Sequence, residues 1–152
     1  MSARRLKSAK LFSGLMGKSS ASVSPGLGKL IRPGEGTITI LKEVAKSGLA
    51  SFLAVLKVFG DVPSPGMMSF PKPGITLALD FPIKPDKSFP LFERLADMTR
   101  EFGGRLYPAK DAAMTAAQFQ AFYPQWQQFA RYRDPQLTSS FWERVTGDKP
   151  GL

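Results

Sequence analysis

The chain of 152 residues contains neither cysteine nor histidine. Without cysteine there can be no disulfide, no thiolate nucleophile and no cysteine-based metal site. Without histidine the commonest general base and the commonest metal ligand of proteins are missing. Any catalysis by this chain must therefore rely on lysine, tyrosine, a carboxylate or a bound cofactor.

Several other signals are also missing from the sequence. No apolar run is long enough to cross a bilayer, and the N-terminus lacks the apolar stretch of a secretory signal. There is no glycine-rich nucleotide-binding motif, no carboxylate cluster with the spacing of metal ligands and no internal repeat. The sequence therefore predicts neither a metal site nor a self-sufficient nucleotide site.

Acidic residues are absent from residues 1–34, which carry seven of the 21 basic residues. Residues 35–152 carry 14 basic and 12 acidic residues, so most of the net charge of +9 belongs to the first segment. We interpret residues 1–34 as a basic disordered segment, with a misread gene start or an organelle transit peptide as alternatives. The nearly neutral remainder predicts no nucleic-acid partner. The basic segment leaves weak association with a membrane open, so we expect a cytoplasmic location or one on the cytoplasmic face of a membrane.

Residues 35–152 have the periodicity of a mixed domain. Ile38, Leu41 and Val44 suggest the apolar face of a first helix that ends at Gly48. The predicted order is α-β-β-α-β-α-α-α, an α+β fold with an antiparallel sheet and helices packed on one face. The elements are a helix from 37 to about 47, strands at 51–59 and 74–83, a helix at 85–102, a strand at 105–109, and helices near 115, 125 and 139.

Two lysines and a tyrosine in or beside these strands are candidates for catalytic or ligand-binding roles. Lys57 is the one charge in its strand and would cost several kcal/mol if buried unpaired. It either reaches solvent from an edge, pairs with Asp80 or faces a polar ligand. Lys110, next to Asp111, is either half of a solvated charge pair or an ammonium group that stabilises negative charge on a ligand. Tyr107 is either an ordinary strand aromatic or a ligand contact.

Four stretches, taken together and in order, resemble a known family. They are "SFLAVLKVFGDVPSPGMMSFPKPGITLALDFPI", "GGRLYPAKDAAM", "FYPQWQQFARYRDP" and "SSFWERV". The set resembles the C-terminal substrate domain of FAD-linked oxidoreductases of the vanillyl-alcohol-oxidase type, over roughly Thr37 to Val145. The decaprenylphosphoryl-β-D-ribose-oxidase-like branch fits better than the D-arabinono-1,4-lactone-oxidase-like branch, which has His-Trp-Gly-Lys where this chain has the run from Tyr107 to Lys110. In that family a large first domain binds FAD, and this second domain caps the isoalloxazine ring. Residues 35–152 are accordingly interpreted as the cap domain.

The resemblance implies a role for individual residues. Lys110 matches a lysine near the flavin and the substrate, where a cation can stabilise the reduced flavin, and Tyr107 matches a tyrosine that contacts the flavin. The residues implied to line the substrate pocket are Lys57, Phe59, Thr76 and Ala78. At the last two positions the chain departs from the family, because the related oxidase has asparagine and cysteine there, and this leaves the substrate open beyond a sugar or alcohol.

The sequence contains no counterpart of the FAD-binding domain. We therefore expect an FAD-binding domain, in the same chain or a separate one, as the partner of this domain. We interpret the chain as a fragment or truncated product that binds FAD weakly, if at all, and is inactive alone. The alternative is a non-enzymatic binding module or a split-enzyme subunit that pairs with a separate FAD-binding chain. A domain built to rest on another is expected to expose an apolar face.

Overall fold

The computed structural model describes residues 8–15, 34–110 and 113–147, with the backbone alone for residues 8–15 and Lys110. In these ranges four antiparallel strands form one sheet, in the order residues 53–59, 74–82, 8–15 and 105–106. The α+β class is confirmed. In chain order the elements are β1 (Ser8–Leu15), α1 (Glu35–Lys46), β2 (Leu53–Phe59), β3 (Gly74–Pro82), α2 (Pro85–Glu101), β4 (Arg105–Leu106), a 3-10 helix (Pro108–Lys110), α3 (Ala116–Phe122), α4 (Trp126–Ala130) and α5 (Ser140–Thr146).

The two faces of the sheet differ in what covers them. Leu77, Leu79 and Phe81 of β3 belong to the hydrophobic core that α1 and α2 complete, and the rings of Phe81 and Phe92 lie 5.7 Å apart. Because successive side chains of a strand point to opposite faces, residues 76, 78 and 80 lie on the other side. We call that side, which carries Lys57, Phe59, Thr76 and Ala78, the far face.

Strand β1 is the main departure from the sequence-based prediction, which places no regular structure before residue 35. Residues 8–15 pair with β3 along their whole length and with β4 at Ser13 and Gly14. The prediction of disorder is wrong for these eight residues, and the rest of residues 1–33 lies outside the described part of the chain. The segment "SAKLFSGL" has little local strand character, so its structure depends on the partner strands on both sides.

Helix α1 has the predicted extent but a different buried face. Ile40 and Val44 are buried, whereas Ile38 and Leu41 are exposed, so the predicted face is wrong by part of a turn. The sequence "TITIL" offers two apolar faces, and packing against α2 and the sheet selects one of them. Gly48 has a φ of +68°, as expected for the glycine that ends a helix.

The remaining helices begin close to the predicted positions. Ser88 lies inside α2, where its hydroxyl accepts from Lys84 N and donates to Pro82 O. Thr115 caps α3 in a reciprocal capping box with Gln118. Ser139 caps α5 by accepting from the backbone N–H of residue 142.

Candidate functional site

The register of β2 and β3 brings the four predicted pocket residues onto one face. Lys57 is directly opposite Thr76, and Phe59 and Ala78 each follow by two positions on their own strand. Directly opposed residues of an antiparallel pair share a face, with Cβ atoms about 5 Å apart. The far face therefore carries all four side chains.

These four side chains differ in how much of them solvent reaches. Thr76 and Ala78 are 5% and 7% exposed and form a buried floor, whereas Lys57 on the edge strand is exposed and Phe59 is partly buried. Asp80 lies four residues beyond Thr76, about 13 Å along the strand, and it is opposite Leu53. The ion pair between Lys57 and Asp80 considered from the sequence is therefore not formed, and the ammonium group of Lys57 is directed to solvent.

An aromatic chain connects the end of β2 to the turn after β4. The Phe59 and Phe70 rings meet edge to face at 6.5 Å, and the Phe70 and Tyr107 rings lie 5.1 Å apart. Tyr107 is 36% exposed, so part of its ring remains accessible to solvent. Sequence reasoning missed Phe70, because its position before Pro71 in an irregular loop gives no periodic signal.

Lys110 ends the 3-10 helix Pro108–Lys110, three residues after Tyr107. Its side chain and the whole of Asp111 lie outside the described part of the chain. The backbone thus places Lys110 next to the aromatic chain, and the role of its ammonium group stays a prediction.

Arg105 and Tyr123 form a polar cluster at β4 that sequence reasoning also missed. Arg105 Nη1 donates to Ser69 O at 2.7 Å, and its guanidinium carbon lies 5.3 Å from the centre of the Tyr123 ring. Tyr123 Oη donates to Leu106 O at 2.7 Å. Burial lowers the pKa of Arg105 and raises that of Tyr123. Burial also lowers the pKa of Lys72, and the nearby charge of Arg105 adds to that effect.

Other parts of the described chain contain fewer groups that could form a functional site. Residues 8–15, 34–110 and 113–147 contain no cluster of carboxylates that could hold a metal ion. Within the same ranges, no helix combines the length and apolar character needed to cross a membrane. A shallow groove of about 440 Å³ lies between α4 and α5, away from the predicted site residues, and is lined by Trp126, Gln127, Ala130, Arg131, Thr146 and Gly147.

Comparison with known proteins gives two informative relatives. Decaprenylphosphoryl-beta-D-ribose oxidase of Mycolicibacterium smegmatis is 43% identical over 101 residues, which is 62% of this chain and 20% of the relative. An uncharacterized protein encoded in the mprA 5′ region of Streptomyces coelicolor is 33% identical over 94 residues, 62% of this chain and 25% of that protein. No family model matches the chain. The chain spans a fifth to a quarter of the length of these relatives. The chain is thus similar, over 62% of its length, to an oxidase, which supports the oxidoreductase family indicated by the sequence motifs.

Proposed function

We propose that the far face is the flavin- and substrate-facing wall of an FAD-dependent oxidoreductase that acts on a CH–OH donor of the sugar class. One observation carries this proposal. The β2–β3 register gathers Lys57, Phe59, Thr76 and Ala78 on one face, and Phe70 links that group to Tyr107. The similarity to an oxidase named for a ribose derivative supports the class of donor.

The described residues fit the ring end of FAD and not its phosphate end. The partly exposed ring of Tyr107 offers an aromatic contact, and the 3-10 helix that ends at Lys110 follows it directly. Glycine-rich turns that open a helix hold the pyrophosphate in many dinucleotide sites, and the sequence has no such motif. FAD, when bound, supplies the acceptor for a hydride from the donor carbon. We infer that an FAD-binding domain, in this chain or a separate one, holds the rest of the cofactor.

The pocket residues of this chain would bind and orient the donor. The exposed ammonium of Lys57 can donate hydrogen bonds to sugar hydroxyl oxygens. Thr76 and Ala78, which are 5% and 7% exposed, form the small-residue floor of this wall. Phe59 supplies an apolar wall for the less polar face of a sugar.

An apolar edge on β2 supports a partner for this domain. Phe52 and Val58 are 75% and 73% exposed, and Leu53 and Leu56 are exposed between them. The outer edge of β2 pairs with no other strand of the described sheet. Exposed edges of this kind are normally covered in native proteins. We propose that further protein covers it, either as part of a longer chain or as the FAD-binding partner of a split enzyme, and that the 152 residues alone are inactive.

A chimaera tests the proposed function. The matching 101-residue segment of the M. smegmatis oxidase is replaced by that of this chain, and flavin bleaching is followed anaerobically with decaprenylphosphoryl-ribose and a panel of simpler sugars. We expect a flavin-loaded protein that at least one sugar donor reduces. A folded, flavin-loaded chimaera that no sugar or alcohol donor reduces would overturn the proposal.

A further inference from the structure

The loop of residues 60–73 joins β2 to β3 without regular structure, and one of its residues completes the aromatic chain beside the far face. The loop contains four prolines, which have no N–H to pair with the sheet. The Phe70 ring in this loop lies 6.5 Å from that of Phe59 and 5.1 Å from that of Tyr107. The position of this ring therefore depends on contacts other than the hydrogen bonds between strands.

Arg105 provides such a contact to the residue before Phe70. Its Nη1 donates to Ser69 O at 2.7 Å, between residues 36 positions apart in the sequence. Ser69 N donates to Gly66 O at 3.0 Å, which closes a turn of the loop at the same residue. Because Phe70 precedes Pro71, its backbone is restricted to extended conformations. A fixed Ser69 therefore limits where the Phe70 ring can lie.

The guanidinium group of Arg105 is itself held by neutral groups. Its central carbon lies 5.3 Å from the centre of the Tyr123 ring, and Tyr123 Oη donates to Leu106 O at 2.7 Å. The ion pairs within residues 34–109 and 113–147 involve other arginines. An apolar side chain could pack on the Tyr123 ring without the cost of removing a charge from water. The feature that requires an arginine here is the hydrogen bond to Ser69 O.

Met68 also anchors the loop, because it packs against the hydrophobic core. Apolar contacts are not directional and the methionine side chain is flexible, so Met68 keeps the loop near the sheet without orienting Phe70. Arg105 and Tyr107, two positions apart, contact the consecutive residues Ser69 and Phe70. These two contacts fix the loop relative to the turn after β4.

We propose that Arg105 is a positioning residue of the candidate site. Through Ser69 O it holds the Phe70 ring between Phe59 and Tyr107, where Phe70 extends the apolar wall that begins at Phe59. This inference rests on the proposed function and adds two residues, Arg105 and Phe70, that the family resemblance does not name. Arg105 acts on the donor only through Phe70, so its loss should weaken donor binding and leave the reaction of bound donor nearly unchanged.

Nuclear magnetic resonance of the isotope-labelled full chain tests whether Arg105 positions Phe70. The nuclear Overhauser contact between the Phe70 and Tyr107 rings is measured in the parent, in Arg105→Met and in Arg133→Met. Arg133→Met is the matched control, because Arg133 also lies over an aromatic ring, that of Trp142 at 5.6 Å, and donates to backbone carbonyls. We expect the ring contact to be lost in Arg105→Met and to keep its parental intensity in Arg133→Met.

Parental intensity of the ring contact in a folded Arg105→Met chain would overturn the proposal. An equal loss in both variants would also overturn it, because the cause would then be a general loss of stability. If Arg105→Met does not fold, Arg105→Lys takes its place. It keeps a cation over the Tyr123 ring, but its side chain is one atom shorter than the one that reaches Ser69 O, so we expect the same loss. A parental ring contact in Arg105→Lys would likewise contradict the proposal.

The dependence of flavin reduction on donor concentration tests the role in donor binding. It is measured in the chimaera described above, with an exchanged segment that includes residues 53–107. We expect the half-saturating donor concentration to rise about tenfold in Arg105→Met, the effect of one lost hydrogen bond to a charged group, with the saturated rate nearly unchanged. Arg133→Met should match the parent in both quantities. A lower saturated rate at an unchanged half-saturating concentration would overturn the positioning role.

The two measurements separate this inference from the proposed function. The ring contact is measured without flavin or donor, so it decides whether Arg105 positions Phe70 whatever the chimaera does. A chimaera that no donor reduces would contradict the proposed function alone.

Discussion

Lys57 of β2 is directly opposite Thr76 of β3, which places an exposed ammonium group beside a buried hydroxyl on the far face. Such a pair contributes little to the folded state, because the cation makes no ion pair with a carboxylate in residues 34–109 and 113–147. Under the proposed function, this exposed cation meets a ligand on the far face.

The capping box of α3 is a purely structural device. In Thr115→Ala the side chain can no longer accept from Gln118 N, and we expect the free energy of unfolding to fall by about 1 kcal/mol. Urea denaturation measures this change. Thr115→Ser keeps the hydroxyl and is expected to stay close to the parent, so a Ser variant as unstable as the Ala variant would contradict the capping role.

Tyr123 makes the stability of the chain sensitive to alkaline pH. Burial raises its pKa above the usual value of about 10, so the folded state keeps a proton that the unfolded state has lost. The contribution is complete below about pH 10 and is lost as the pH rises above it. Tyr123→Phe should unfold more easily at pH 7, by about 1 to 2 kcal/mol, because Leu106 O loses its donor.

The Tyr123 variant should also lose less stability than the parent between pH 9 and pH 11. Denaturant unfolding at those two pH values measures the difference. Tyr132→Phe, at an exposed position, is the control and is expected to follow the parent. If Tyr123→Phe and the parent fall by the same amount, the buried hydroxyl is not the source of the pH dependence.

The apolar edge of β2 is expected to cause self-association of the isolated chain. Val58→Lys puts a charge on that edge, which disfavours edge-to-edge pairing, and we expect a smaller sedimentation coefficient at high protein concentration. Stability should change by less than about 0.5 kcal/mol, because the side chain is already exposed. Ile38→Lys on α1 is the control, and an equal effect from both variants would show that general solubility, and not the β2 edge, is involved.

The local sequence pattern predicts most of the helices and strands, but it does not predict the full pairing of the sheet. Gly48, Thr115 and Ser139 mark helix ends through short-range backbone geometry, which a sequence displays directly. Strand β1 was missed because its pairing with β3 joins residues about 70 positions apart, and nothing in "SAKLFSGL" signals a partner. The buried face of α1 was wrong because packing against other elements, and not the helix period, chose between two apolar faces.

In the candidate site, too, the residues can be named from the sequence, whereas their contacts depend on segments that are distant along the chain. The family resemblance named Lys57 and Thr76, and the β2–β3 register, which no single strand contains, places them opposite each other. Phe70 and Arg105 were missed because their contacts join a proline-rich loop to the chain at and after a two-residue strand.

The rate of flavin reduction in a Lys57→Gln variant of the chimaera tests the central claim most directly. Stopped-flow absorbance with the sugar donor gives the rate constant and its dependence on donor concentration for Lys57→Gln and for the matched control Lys87→Gln. If the far face meets the donor, reduction at subsaturating donor falls about tenfold or more in Lys57→Gln, the loss of one hydrogen bond to a charged group, and stays at the parental rate in Lys87→Gln. A flavin-loaded Lys57→Gln chimaera that is reduced as fast as the parent would contradict the account.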